Sequence, residues 1–236
     1  IDENAFMETE IENLTIPSSC FRFKEGCFNI MNSLKFISII PTQEQNIINY
    51  NDQFILQKSN RKSDIFDVII FANRDIKIAS IPSYITEISY DSFYNCSNLI
   101  KVKFDEDSQL KLINNCAFMR TSIRFIEIPK NVAKIGSNAF SCCEDLKCIT
   151  FDENSELSVI GNSAFSETSI RCFFIPKKLK ILDDYVFMSC NKLQIVEVSD
   201  YSELTKLSLK AFVETTDTLI MIPLKIRKNI IITSFD

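Results

Sequence analysis

The groups in this sequence whose type and spacing could support chemistry are nine cysteines, pairs of adjacent carboxylates and two Asn-x-Ser/Thr triplets. Cys142, Cys143 and Cys148 cluster as zinc ligands do, yet there is no C-x-x-C pair and no His to complete a site. Cys96, Cys143 and Cys190 recur at intervals of 47 residues, each three residues after a Phe, and Met31 takes the same place further back. That pattern reads as a buried, reduced column of small hydrophobes. The odd total excludes a complete disulfide framework within one chain. Cys148 and Cys172 fall at strand positions expected to face outward, which makes them the more reactive thiols.

The carboxylate pairs Asp105/Glu106, Asp152/Glu153 and Asp183/Asp184 have two readings. One is a calcium site or general acid–base work; the other is a solvated turn. The first two pairs recur 47 residues apart, which favours turns. Without His no Ser–His–Asp triad can be assembled. With three Gly in the chain, no glycine-rich phosphate cradle can be built either. No catalytic, cofactor-binding or metal-ligating residue is therefore assigned, and the chain is not expected to be an enzyme. Asn13-Leu14-Thr15 and Asn95-Cys96-Ser97 match the glycosylation acceptor pattern, the second beside an expected core Cys.

Composition narrows the partners. A net charge of -5 in 236 residues and a pI near 5.0 argue against nucleic acid, which needs a basic footprint. No apolar run approaches the roughly 20 residues of a membrane span, so no transmembrane segment is expected in this chain. The chain starts at Ile1 with no basic-then-apolar leader behind it. It reads as part of a longer product whose targeting signal lies elsewhere.

The elements that must position these groups come from a repeat. Pro82, Pro129, Pro176 and Pro223 are spaced by 47, and Ser108/Ser155/Ser202 and Leu110/Leu157/Leu204 keep the same interval. Each 47-residue block divides into units of 23 and 24, marked by an apolar-x-x-apolar-x-apolar segment. Nine strands are predicted, ending at Ile16, Ile39, Ile81, Phe104, Ile128, Phe151, Ile175, Val198 and Ile222. One unit of this length cannot enclose a core, so stacked units must build a continuous apolar column. The fold class expected is α/β: a solenoid with one parallel strand per unit and short helical turns around the recurring Phe. The interval from Ile39 to Ile81 is too long for one unit. Its extra residues, near 40–75, hold two β-rich segments, Gln53 to Gln57 and Phe66 to Ala72, around a polar turn, which predicts an inserted hairpin. The whole of 1–236 is read as one domain, with a C-terminal cap over 224–236.

These residues resemble a known family. The I-P-x-x-[IVL]-x-x-[IL]-x-x-x-x-F…C-x-x-L-x-x-[IV]-x-F pattern resembles the BspA-like, Treponema-type leucine-rich repeats, over about residues 5 to 223. Residues 63 to 85, SDIFDVIIFANRDIKIASIPSYI, are similar to the versions found in trichomonads. The resemblance implies a surface protein that adheres to host cells, matrix or other microbes. Ile and Phe replace much of the Leu, and the ladder Asn is not kept in every unit.

The strand faces carry the site expectation. The first, fourth and sixth positions of each strand should point inward, and the third and fifth outward. The third column reads Asn13, Phe36, Ile78, Lys101, Phe125, Cys148, Cys172, Ile195, Leu219. The fifth reads Thr15, Ser38, Ser80, Lys103, Glu127, Thr150, Phe174, Glu197, Met221. An exposed apolar stripe marks an interaction site, unless the terminal segment or a neighbouring copy covers it. The candidate binding residues are Phe36, Ile78, Phe125, Phe174, Ile195 and Leu219, with the insertion forming one wall. The partner is a protein or cell-surface ligand, or a second copy of the chain. A surface or secreted location follows from the resemblance. The unpaired cysteines favour the alternative, an intracellular scaffold.

Overall fold

A computed structural model describes residues 1–28, 31, 33–215 and 218–233. The N-terminal part holds β1 (Asn13–Pro17), β2 (Phe36–Ile40), β3 (Ile47–Tyr50), β4 (Phe54–Gln57) and β5 (Val68–Ala72). The middle holds β6 (Ile78–Ile81), β7 (Glu87–Ile88), β8 (Lys101–Phe104), β9 (Leu112–Ile113), β10 (Phe125–Ile128), β11 (Lys134–Ile135), β12 (Cys148–Phe151) and β13 (Val159–Ile160). The C-terminal part holds β14 (Cys172–Phe174), β15 (Ile181–Leu182), β16 (Ile195–Glu197), β17 (Lys206–Ser208), β18 (Leu219–Met221), α1 (Leu224–Arg227) and β19 (Ile231–Thr233).

The chain winds as a parallel β-solenoid. The nine strands expected from the spacing are β1, β2, β6, β8, β10, β12, β14, β16 and β18, and they form the first face. Their ladders are β1-β2, β6-β8, β10-β12 and β14-β16-β18, all parallel. The fourth-position residues Ile37, Ala79, Val102, Ile126, Ile149, Phe173 and Val196 are buried, as a period of two requires. A second face was not foreseen. After the Pro or acidic turn, short strands of two or three residues pair with one another and with the insertion, in sheets of order β13-β11-β9-β7-β5-β4-β3 and β15-β17-β19. Each sends one residue inward: Ile88, Ile113, Ile135, Ile160, Leu182 and Leu207 are all buried. Burying each such side chain stabilises by about 1.5–3 kcal/mol.

The third side of each turn is built around the recurring Phe. Phe93, Phe118, Phe140, Phe165, Phe187 and Phe212 stack with centroids 4.7, 5.2, 5.6, 5.9 and 5.8 Å apart. The chain reverses there on left-handed residues two before and two after the ring. Asp91 and Asn95, Cys116 and Arg120, Asn138 and Cys142, Ser163 and Glu167, Tyr185 and Ser189 all have φ between 54° and 62°. For L-residues that conformation costs about 1–2 kcal/mol each. Hydrogen bonds to the next turn hold it: Phe118 N donates to the Ala139 carbonyl at 2.8 Å, and Arg120 N to that of Ser141 at 3.0 Å. The helical turns expected here are mostly such reversals. Leu209–Phe212 is a short 3₁₀ turn and α1 one turn of α-helix. The recurring Ser has a role as well. Ser155 Oγ accepts from Leu157 N at 3.3 Å, and Ser202 Oγ from Leu204 N at 3.2 Å, closing the turn after the strand. Gly136 lies against the previous turn, where a Cβ would meet the backbone nitrogen of Asn115 at 2.5 Å.

The insertion is built into the solenoid. β4 pairs antiparallel with β5 and β3, and β5 continues the second face through β7. Every residue of β4 and β5 is buried. Ile55, Val68, Ile70 and Phe71 pack on the N-terminal core with Phe28, Met31 and Leu34. Phe54, Leu56, Ile69 and Ala72 pack on the core of the main array. A strand buried on both sides carries a continuous apolar run, as VIIFA does. The part that reaches the first face is the β3–β4 turn. At the other end, β19 pairs with β17, so residues 224–233 close the second face. Residues 234–236 of the expected cap lie outside the described residues.

Candidate functional site

The parallel register sets the outward columns of the first face. Asn13 pairs with Phe36, Ile78 with Lys101, Phe125 with Cys148, and Cys172 with Ile195, which pairs in turn with Leu219. Phe36 and Ile78 are exposed, as are Phe125 at 48%, Phe174 at 57% and Leu219 at 59%. Ile195 is half-buried. Phe174 stands in the fifth column, registered with Glu197 and, one turn on, Met221. The six candidate residues thus share one face, though Phe36 is separated from the rest by the insertion. The described part of the terminal segment lies on the second face and leaves them uncovered.

Breaks in the ladder open two hollows on this face. One, of about 390 Å³, lies between β2 and the insertion and is lined by Phe36, Ser38, Asn49, Asp52, Gln53 and Asn73 among others. The other, of about 520 Å³, lies where β8 and β10 run side by side without pairing. Lys101, Lys103, Phe125, Glu127, Lys130 and Asp152 are among its lining residues. It combines an apolar ring with three cations, and Asp105, Glu106 and Asp152 line it as well.

A column that the repeat pattern left as an unassigned x runs beside the apolar one. The residues just before Phe36, Ile78, Phe125, Cys148 and Cys172 are Lys35, Lys77, Arg124, Lys147 and Arg171, all exposed. Backbone bonds stack them: Lys147 N donates to the Arg124 carbonyl at 3.0 Å, and Gln194 N to that of Arg171 at 2.8 Å. Lys35 is paired with Glu12 at 2.9 Å. Among the described residues the other ion pairs are Lys24–Asp2, Arg61–Glu44 and Lys178–Glu156, so Lys77, Arg124, Lys147 and Arg171 have none. Aligning the units by strand position would have shown this column in the sequence.

The remaining chemical groups are structural or solvated. Cys96, Cys143 and Cys190 are fully buried, as is Met31 in the N-terminal core, and burial pushes the Cys143 thiol up to about 11. They also bond: Cys143 Sγ donates to the Phe118 carbonyl at 3.0 Å and meets Thr121 Oγ1 at 3.2 Å. Cys190 repeats this with Phe165 at 3.0 Å and Thr168 at 3.3 Å. Cys148 is exposed and Cys172 half-buried. Asp105, Glu106, Asp152 and Glu153 are exposed turn residues; Asp105 accepts from Ser83 N at 3.1 Å and Asp152 from Asn154 N at 2.7 Å. Asp183 is exposed, and Asp184 accepts from the Ser208 hydroxyl. Among the described residues no group of three His, Cys, Asp or Glu is placed to hold a metal ion. Asn13 is exposed on β1, whereas Asn95 is half-buried in a left-handed turn. Among the described residues no helix is long and apolar enough to cross a membrane.

A buried column of Ile and Phe, parallel strands stacked turn on turn and an exposed outward face define a leucine-rich-repeat solenoid. The chain belongs to the BspA type leucine rich repeat family, whose pattern matches in six copies over residues 1–66, 64–194 and 111–233. Among solved structures it is similar to the T. pallidum leucine-rich-repeat protein, with 24% identity and a TM-score of 0.51 over 60% of this chain and 65% of that one. It is also similar to a leucine-rich repeat protein from Eubacterium ventriosum, with 20% identity and a TM-score of 0.65 over 91% of this chain and 55% of that one. Those likenesses are of fold, and the chain spans less than two thirds of either protein's length. No curated protein matches the sequence.

Proposed function

We propose that this chain is the recognition module of a cell-surface or secreted protein. It docks a protein or cell-surface ligand on the first face, centred on Phe125 and Phe174. The observation that carries this reading is the set of apolar side chains exposed on one face, Phe36, Ile78, Phe125, Phe174 and Leu219, where a merely soluble sheet would be polar. Large aromatic residues dominate contact energies, at about 2 kcal/mol or more each on truncation. Phe125→Ser and Phe174→Ser should abolish adhesion of the purified chain to target cells and leave the melting temperature nearly unchanged. Loss of several kcal/mol of stability with adhesion intact would refute the reading. Analytical ultracentrifugation of the same variants runs beside it, because loss of a dimer would mean the stripe meets its own copy. The nine unpaired cysteines support a second reading, an intracellular scaffold. Antibody labelling of intact cells separates the two: surface label supports the first, and label only after permeabilisation the second.

A further inference from the structure

We infer that the first face binds an extended anionic polysaccharide, its acidic groups along Lys77, Lys101, Arg124, Lys147 and Arg171 and its sugar rings against Phe125 and Phe174. The inference rests on the docking face proposed above and names the class of ligand it takes.

Charge is the first ground. The chain carries a net charge of -5, yet the outward positions of the five turns from β6 to β14 reverse that sign. They hold Lys77, Lys101, Lys103, Arg124, Lys147 and Arg171, all exposed, against the single carboxylate Glu127. None of the six is in an ion pair with a described residue. Like charges stacked on adjacent strands repel one another and focus a positive potential along the face. An external polyanion relieves that repulsion, which no ion pair among the described residues does.

Spacing is the second ground. Each of the five turns supplies at least one cation, and strands that pair, as β6-β8 and β10-β12 do, lie about 4.8 Å apart. Lys77, Arg124, Lys147 and Arg171 share one column and Lys101 stands one position further along its strand, in register with Ile78, so each turn offers one positive group. An extended acidic peptide repeats its same-side residues every ~6.7 Å and falls out of step within a few turns. Linked pyranose rings advance by close to one turn, so an acid on each ring or each second ring stays in register. The arginines add bidentate recognition of sulfate or carboxylate. The exposed rings of Phe125 and Phe174, beside the stripe, offer flat apolar surfaces to the C–H faces of sugars.

The test uses immobilised heparin as the probe, with poly-glutamate of matched charge beside it, read by biolayer interferometry. The chain should bind heparin in low salt and release it at 1 M, where the screening length falls to about 3 Å. R124Q/K147Q/R171Q should weaken binding by about tenfold or more, as three exposed ion pairs lost together imply. K111Q/K134Q/K180Q makes the same charge change on the second face and should leave binding unchanged. Absence of heparin binding, an equal loss in both triple variants, or tighter binding of poly-glutamate than of heparin each overturns the inference. If heparin binding is absent while adhesion still depends on Phe125, the polysaccharide assignment falls and the docking face stands.

Discussion

Cys143 offers a test in which the order of two variants, and not only a magnitude, is at stake. As a plain hydrophobe it should be replaced better by Ala than by Ser, because a buried hydroxyl without a partner is costly. The structure gives its thiol a partner. Sγ lies 3.0 Å from the Phe118 carbonyl and 3.2 Å from Thr121 Oγ1, and among the described residues no other donor reaches that carbonyl. Burial raises the thiol to about 11, so it stays protonated and able to donate at neutral pH. Cys143→Ala should lose about 1 kcal/mol of transfer and packing energy. It should lose about 1–3 kcal/mol more for the orphaned carbonyl. Cys143→Ser keeps the donor and should cost about 1 kcal/mol. Urea unfolding at constant m measures both, and a double-mutant cycle with Thr121→Val should show a coupling of at least ~0.5 kcal/mol. An Ala variant more stable than the Ser variant, with no coupling, would refute the hydrogen-bonded thiol and return this column to simple packing.

Two further predictions follow from groups the fold holds under strain. Burial, reinforced by Glu25 and opposed by Arg74, lifts the Asp91 carboxyl to about 7. An acid raised in the folded state contributes stability below its unfolded value near 4 and loses it as pH rises through 7, by on the order of 4 kcal/mol. Glu87, also raised by burial, adds to the slope. Urea midpoints should therefore be higher at pH 5 than at pH 8, and Asp91→Asn should flatten most of the difference; an unchanged slope would show that Asp91 ionises freely. Glu167 sits at φ 56° with an exposed side chain. Glu167→Gly should raise stability by about 0.5–1 kcal/mol and Glu167→Val lower it by about 1–2 kcal/mol, and equal melting temperatures would remove the strain argument.

The 47-residue interval made the first face legible because a solenoid repeats its core demands at every turn. Inward residues such as Ile126 and Ile149 must be apolar whatever their neighbours, so their spacing survives in the sequence. The second face was hidden because its strands are two or three residues long. Ile113 or Ile135 alone is the inward residue, and one residue per strand leaves no alternation to detect. The left-handed turns were hidden for a different reason. Asp91, Cys116, Asn138, Ser163 and Tyr185 share one backbone conformation across five residue types. Hydrogen bonds from the next turn impose it, so local preference for Gly or Asn does not mark it. The insertion's burial, in contrast, could be read in advance. VIIFA has no polar alternate, which places it between two cores and not on a rim.

The proposed docking face obeys the opposite logic from the core. Positions two, three and five of each strand point away from the core, so the fold asks less of the residues there. Departures from randomness at those positions therefore reflect something outside the fold. A sheet needing only solubility would scatter both signs of charge and few rings. This one sets exposed Phe125 and Phe174 beside Arg124, Lys147 and Arg171, in successive turns of an acidic chain. The apolar column alone was read from the sequence because hydrophobic residues out of place are conspicuous, whereas an exposed lysine is ordinary one at a time. Only the register, which pairs Phe125 with Cys148 and stacks Arg124 on Lys147, turns scattered cations into a line. In a solenoid the unit of function is that line, and a contact made at one turn is offered again at the next.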